Sequence, residues 1–271
     1  MASSHLFIIT GASRGLGLAL ARQLLQPGHT LILMARHDNT SLHAPPGARL
    51  EQWQHDLSEA APAAQRLGEW LGAQAPHQHA SATLINNAGQ LAHIAPLSQC
   101  AGGTEQASIA SALRVGLEAP MLLTAHFLAA TEHWPARRKV LNISSGLGRR
   151  PMAAQATYCA AKAGLDHFTR CVALEEAAKP HGARICSLAP GVIDTDMQLQ
   201  LRSADAATFP DRERFESLHT QQQLTSARDT AAQVLAWLQR PDFGLEPVAD
   251  IRSPGTGASG TGAAREKYAT P

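Results

Sequence analysis

Along most of this chain, short apolar runs alternate with longer stretches of helical periodicity. Residues 6–9 are continuously apolar and lead into Thr10 and Gly11, after which Leu16, Ala19, Leu20 and Leu24 recur at the spacing of one helix face. Pro27-Gly28 closes that helix, and residues 30–35 form the next apolar run. The pattern then repeats, with strands predicted at 50–54, 82–85, 140–145, 183–188 and 247–251 and helices at 58–71, 107–130, 156–178 and 227–239. Strands buried on both faces read as unbroken apolar runs, so this alternation predicts one doubly wound α/β domain over residues 1–251, with a parallel sheet of about seven strands. Residues 37–48, with Pro45-Pro46-Gly47, predict a loop, and the polar stretch 198–226 with its scattered aromatics predicts a lid. Residues 252–271 are rich in Gly, Ala, Ser and Thr and predict a flexible tail.

The first strand, turn and helix carry TGASRGLG at 10–17. A plain βα turn also favours glycine, but three glycines, at 11, 15 and 17, exceed what a turn needs. They let the free N–H groups of a helix start approach a pyrophosphate, which makes this a Rossmann dinucleotide site. An acidic residue closing the second strand would bind a ribose 2′-hydroxyl; here the position holds Arg36, with Arg14 in the glycine loop. Both cations suit a 2′-phosphate, so the expected cofactor is NADP. Asp38, two residues on, competes for that role if the strand ends later, and otherwise is a solvated turn residue.

At the start of a predicted helix, Tyr158 and Lys162 stand four residues apart and therefore on one face. A phenol in water ionises near pH 10, and an ammonium about 4 Å away at an effective dielectric of about 20 favours the phenolate by roughly 4 kcal/mol, enough to reach about pH 7. By itself such a pair is more often an ordinary aromatic beside a solvated charge.

The 271-residue chain is 44% hydrophobic, enough for the core of one domain, and its net charge of +1 gives no footprint for nucleic acid or an acidic membrane surface. The apolar run at 6–9 is too short for a signal sequence or membrane span, so a cytoplasmic protein is expected. Cys100, Cys159, Cys171 and Cys186 form no CxxC pair, and the thirteen histidines include no HExxH motif, so no metal is expected.

Taken together, TGASRGLG, NNAG at 86–89, Ser145 thirteen residues before Tyr158, YCAAK at 158–162 and Pro190-Gly191 followed by Thr195 resemble the short-chain dehydrogenase/reductase family over residues 5–251. The resemblance implies a catalytic set of Ser145, Tyr158 and Lys162, with hydride passing from NADPH to a carbonyl carbon and Tyr158 protonating the oxygen. It implies cofactor contacts from Gly11, Ser13, Arg14, Gly15, Leu16, Gly17 and Arg36. To these it adds Asp56 with Leu57 on the adenine side, and Asn87, Ala88, Gly89, Tyr158 and Lys162 around the ribose. Pro190, Gly191, Ile193 and Thr195 would hold the nicotinamide. Asp56 also reads as an N-cap for the next helix. One position departs from the family: where a water-holding Asn is usual, this chain has Gly116, which puts the usual proton path in doubt.

Within the family, NISS at 142–145, YCAAK, ALEE at 173–176 and APGVIDTDMQ at 189–198 resemble the sepiapterin reductase branch. That resemblance implies a small-molecule carbonyl substrate contacted by Ser145, Tyr158 and Asp250, with Asp250 holding a pterin edge; the other reading of Asp250 is a solvated strand end. A broad reductase of diketones or aromatic ketones is the alternative, and a non-catalytic NADP-sensing regulator a further one, which the complete Ser-Tyr-Lys set disfavours. The small-residue-rich helices at 107–130 and 156–178 resemble the pair through which family members form homodimers or homotetramers.

Overall fold

The computed structural model describes residues 4–253. The predicted tail beyond residue 253 lies outside the described residues, and Arg252 and Ser253 form a turn. The strands are β1 (Ser4–Thr10), β2 (His29–Ala35), β3 (Arg49–Gln54), β4 (His79–Asn86), β5 (Arg137–Ile143), β6 (Arg184–Ala189) and β7 (Val248–Asp250). They form one sheet in the order β3-β2-β1-β4-β5-β6-β7, every neighbouring pair parallel. The helices are α1 (Gly15–Leu24), α2 (Ala60–Gly72), α3 (Gly103–Leu113), α4 (Ala119–Thr131), α5 (Ala156–Ala177), α6 (Asp196–Arg202), α7 (Arg212–Thr220) and α8 (Ala227–Gln239).

Two cores sandwich the sheet. On one face Leu16 and Leu20 of α1 meet Val234 and Leu238 of α8 over Ile9, Leu31 and Leu188. On the other, Leu67 of α2, Phe127 of α4 and Val172 of α5 cover Leu6, Ile32 and Val140. Because the strands are parallel, all their C-terminal ends lie along one rim, where doubly wound sheets bind ligands. A third, smaller cluster of Leu201, Phe209 and Phe215 gives the lid its own support, against Leu91 and Met152. Among the described residues no helix is long and apolar enough to cross a membrane.

The structure departs from the expected elements at one helix. The continuous helix predicted at 107–130 is α3 and α4 joined by a π-helical turn, Arg114–Glu118, with Gly116 in its middle. An extra residue in a helical turn shifts the hydrogen-bond ladder, and such turns gather at functional sites.

Candidate active site

Every residue expected at the site, apart from Gly17 and Asp250, lines one cleft of about 690 Å³ along that rim. The floor under the glycine loop is drawn tight. Gly11 has φ +66°, and a Cβ there would come within 2.9 Å of the Ala88 Cα, while a Cβ on Gly17 would collide with the Gly11 carbonyl oxygen. Gly17 therefore serves close packing of α1 against the loop rather than facing the cleft. Asn87 fastens the same corner from just past β4: its Nδ2 donates to the Thr10 carbonyl at 2.9 Å and to that of Gly11 at 3.3 Å.

Arg36 lines the cleft just past β2. Asp38 does not, because its carboxylate accepts from Gln54 Nε2 at 2.9 Å. Arg14 lines the cleft and bonds Asp196 at 2.6 Å, an exposed pair. Asp56 lines the cleft and also caps the turn Leu57–Glu59 through the Ser58 N–H at 2.9 Å, so both readings of Asp56 are compatible with its place. Open glycine backbone, a helix start and a lining arginine at the second strand fit a phosphorylated dinucleotide.

Ser145 follows β5, its hydroxyl accepting from the Leu147 N–H at 3.2 Å. Tyr158 is the third residue of α5, and Lys162 lies one turn further on. Lys162 is only 4% exposed; its Nζ donates to the Ile143 carbonyl at 2.8 Å and stands 5.7 Å from the centre of the Tyr158 ring. Burial pushes the Tyr158 phenol up to about 12, with the Ser145 hydroxyl pulling the other way. The direction is opposite to that expected from the Tyr-Lys spacing alone, because desolvation of the phenolate is the largest influence on it. A phenol so placed is fully protonated at neutral pH and can act as an acid. Burial likewise brings Lys162 down to about 8, against the opposing pull of Asp166.

Asp250 lies away from the cleft. Its side chain, 15% exposed, is gripped by Arg252, whose Nε and Nη2 donate at 2.8 and 2.7 Å, and is approached by Arg149 at 3.5 Å. In this structure the carboxylate is paired rather than solvated, with Arg252 and Arg149 as its partners. Arg252 lines the cleft instead. Arg150 and Met152 also line it without having been singled out in the sequence, and Phe215 and Leu218 bring the predicted lid to the cleft. Their signal, one cation and three apolar side chains in loop and lid, has no fixed spacing to Tyr158.

A family model described as short chain dehydrogenase matches residues 5–206. The chain is 34% identical over 243 residues to a benzil reductase ((S)-benzoin forming) of Bacillus cereus, covering 87% of this chain and 94% of that protein. It is 32% identical over 248 residues to the sepiapterin reductase of Rattus norvegicus, covering 87% and 92%. Its fold superposes on the KRED1-Pglu enzyme with a TM-score of 0.74 at 25% identity, covering 90% of this chain and all of that one. The fold, the cleft at the strand ends and these matches agree: the chain belongs to the short-chain dehydrogenase/reductase family of oxidoreductases.

Proposed function

We propose that this protein is a cytoplasmic NADPH-dependent carbonyl reductase acting on aromatic or vicinal diketones. The observation that carries the reading is the convergence of Ser145, Tyr158 and Lys162 on the cleft that also holds the glycine loop and Arg36. NADPH supplies a hydride when bound. Arg36 and Arg14 would meet its 2′-phosphate, the loop from Gly11 to Leu16 its pyrophosphate, and Ile193 and Thr195 its carboxamide end. Tyr158 holds the proton that the ketone oxygen takes, and its high proton affinity keeps that proton in place until charge develops on the oxygen. Ser145 donates a second hydrogen bond to the same oxygen, fixing the carbonyl over Tyr158. Lys162 offers the buried charge that compensates Tyr158 as its proton leaves.

Two features favour a diketone over a pterin. Leu91, Met152, Phe215 and Leu218 give the substrate end apolar walls, and the Asp250 carboxylate is occupied by arginines. The similarity to benzil reductase supports the same choice, while the similarity to sepiapterin reductase keeps a pterin as the second reading. The exposed Met121 of α4 and Leu174 of α5 suit burial between subunits, and we propose a homodimer or homotetramer. The test is NADPH oxidation by the purified protein against benzil, a small aliphatic diketone and sepiapterin. Efficient reduction of the diketones supports the reading; activity confined to sepiapterin would replace it by the second, and no turnover of any carbonyl would overturn it.

A further inference from the structure

Asp166 lies one turn beyond Lys162 on α5, four residues along the same face, and is 2% exposed. Its Oδ1 accepts two hydrogen bonds of 2.6 Å, one from the Ser144 hydroxyl at the end of β5 and one from the Ser187 hydroxyl in β6. The carboxylate thus ties the helix that carries Tyr158 and Lys162 to two strands, one of them through the residue next to Ser145. Its other oxygen, Oδ2, is buried with no hydrogen-bond partner. Gly148 leaves room for that oxygen: a Cβ at this position would lie 2.7 Å from Oδ2 and 3.0 Å from the Lys162 carbonyl.

A buried, half-satisfied carboxylate is costly unless a cation balances it. Few groups are placed to do so. On α5 itself Lys162 and Tyr158 share its face; β6 contributes the Cys186 thiol and the Ser187 hydroxyl, and the end of β5 the Ser144 hydroxyl. Around Lys162, β5 offers the Ile143 carbonyl and the loop after β4 the backbone of Gly89. Among the described residues, Lys162 is the cation one turn away on the same helix face, and Asp166 supports its proton affinity.

We propose that Asp166 is the positioning residue of this active site, a buried counter-charge that keeps Lys162 protonated in the working pH range and ties its helix to the strand that carries Ser145. The proposal rests on the assignment of Ser145, Tyr158 and Lys162 as the catalytic set. It has a further consequence for the pH profile. Burial lowers the proton affinity of Lys162 and Asp166 supports it, so loss of activity on the basic side is expected to follow the Lys162 ammonium rather than the more firmly protonated phenol.

Asp166→Asn separates charge from tether, because the amide oxygen can still accept from both serines. The Lys162 side chain is titrated by NMR in the protein without nucleotide, and the pH profile of diketone reduction is measured beside it. Asp166→Asn is expected to lower the Lys162 midpoint by at least about one pH unit, the scale for one nearby opposite charge. The basic limb should move down by the same amount, with NADPH-dependent activity retained at lower pH. A folded variant with an unmoved midpoint overturns the proposal, whereas a wild type that reduces no carbonyl refutes the functional assignment and leaves the NMR result to stand alone. Should Asp166→Asn fail to fold, Ser187→Ala decides: it strips a donor that shares the carboxylate's charge, so the Lys162 midpoint holds or rises, and a fall overturns the proposal.

Discussion

The Lys162 ammonium donates to the Ile143 carbonyl at 2.8 Å and so bridges α5 and the end of strand β5. The bond fixes where the positive charge sits, beside Tyr158 but 5.7 Å from its ring centre, and leaves desolvation to dominate the phenol. Tyr158 is therefore a reservoir of one firmly held proton. Tyr158→Phe keeps the packing volume and removes that proton. Turnover of a diketone should drop by about 10²- to 10⁴-fold, the usual contribution of a general acid, with NADPH binding unchanged. Retention of more than about a tenth of wild-type turnover, with chemistry shown to limit the rate, would assign the acid elsewhere.

Arg36 faces the cleft without competition from Asp38, whose carboxylate is held by Gln54 at 2.9 Å. Arg14 shares its charge with Asp196. Arg36→Asp should weaken NADPH by roughly tenfold or more, since hydrogen bonds to charged groups contribute about 1.5 to 3 kcal/mol, and should improve NADH relative to it. Arg14→Ala should do less. Equal catalytic efficiency of the wild type with NADH and NADPH would remove the basis for both.

The strands could be read because a sheet covered on both faces leaves nearly continuous apolar runs, as in residues 6–9 and 30–35. The candidate cofactor residues could be read as one group because they cluster at strand ends with fixed local spacing, and the fold brings all of them but Gly17 to one cleft. What the sequence concealed depends on distant groups. Nothing local marks Arg114–Glu118 as a π turn, and only desolvation by the surrounding fold decides the direction in which Tyr158 shifts. Asp166 was within reach, four residues after Lys162, but its significance rests on Ser144 and Ser187, more than twenty positions away along the chain.

Gly116 packs in the π turn with its Cα side facing α5, where an added Cβ would approach the Ala161 Cβ to 3.3 Å. The neighbour must yield by a few tenths of an ångström. Gly116→Ala should leave diketone turnover within about threefold of wild type and cost about 1 kcal/mol of stability, the low end of the range for overpacking. A loss of turnover beyond about tenfold in a folded variant would place the backbone of this turn in the proton path.

Acid should weaken the fold from the opposite rim of the sheet. His79 is buried, stacked on Trp134 at 5.9 Å, with Nδ1 at 3.0 Å from the Ser4 hydroxyl and Nε2 without a partner. Burial first, then the charges of Arg49 and His5, hold its pKa below the ordinary value, and burial does the same for His29. The unfolded chain takes up these protons near pH 6.5 and the folded protein only at lower pH. Their stabilising contribution is thus complete above about pH 6.5 and lost as pH falls through the folded values. Thermal unfolding should show a Tm that declines from about pH 6.5 downward, less steeply in His79→Phe, which keeps a ring against Trp134 and cannot titrate. Parallel declines in the two proteins would clear His79 of the effect.

Asp250 discriminates between the two substrate classes. Its carboxylate is held low first by the hydrogen bonds from Arg252, with burial opposing and Arg149 assisting. It accepts a paired contact from Arg252, and that arginine, not the carboxylate, borders the cleft. Removing the carboxylate frees Arg252 and leaves the substrate walls of Met152, Phe215 and Leu218 as they were. Asp250→Ala should therefore change efficiency on a diketone and on sepiapterin alike, within about threefold of each other. It should cost stability on the order of 1 kcal/mol, because a charge-assisted contact to a largely exposed arginine is lost. A pterin edge held by this carboxylate would behave differently, since its ring N–H and amino donors would be left unpaired and sepiapterin alone would lose at least about tenfold. That selective loss would move the assignment from diketones to pterins, and with it the role of Arg252, from bordering the substrate to restraining the residue that binds it.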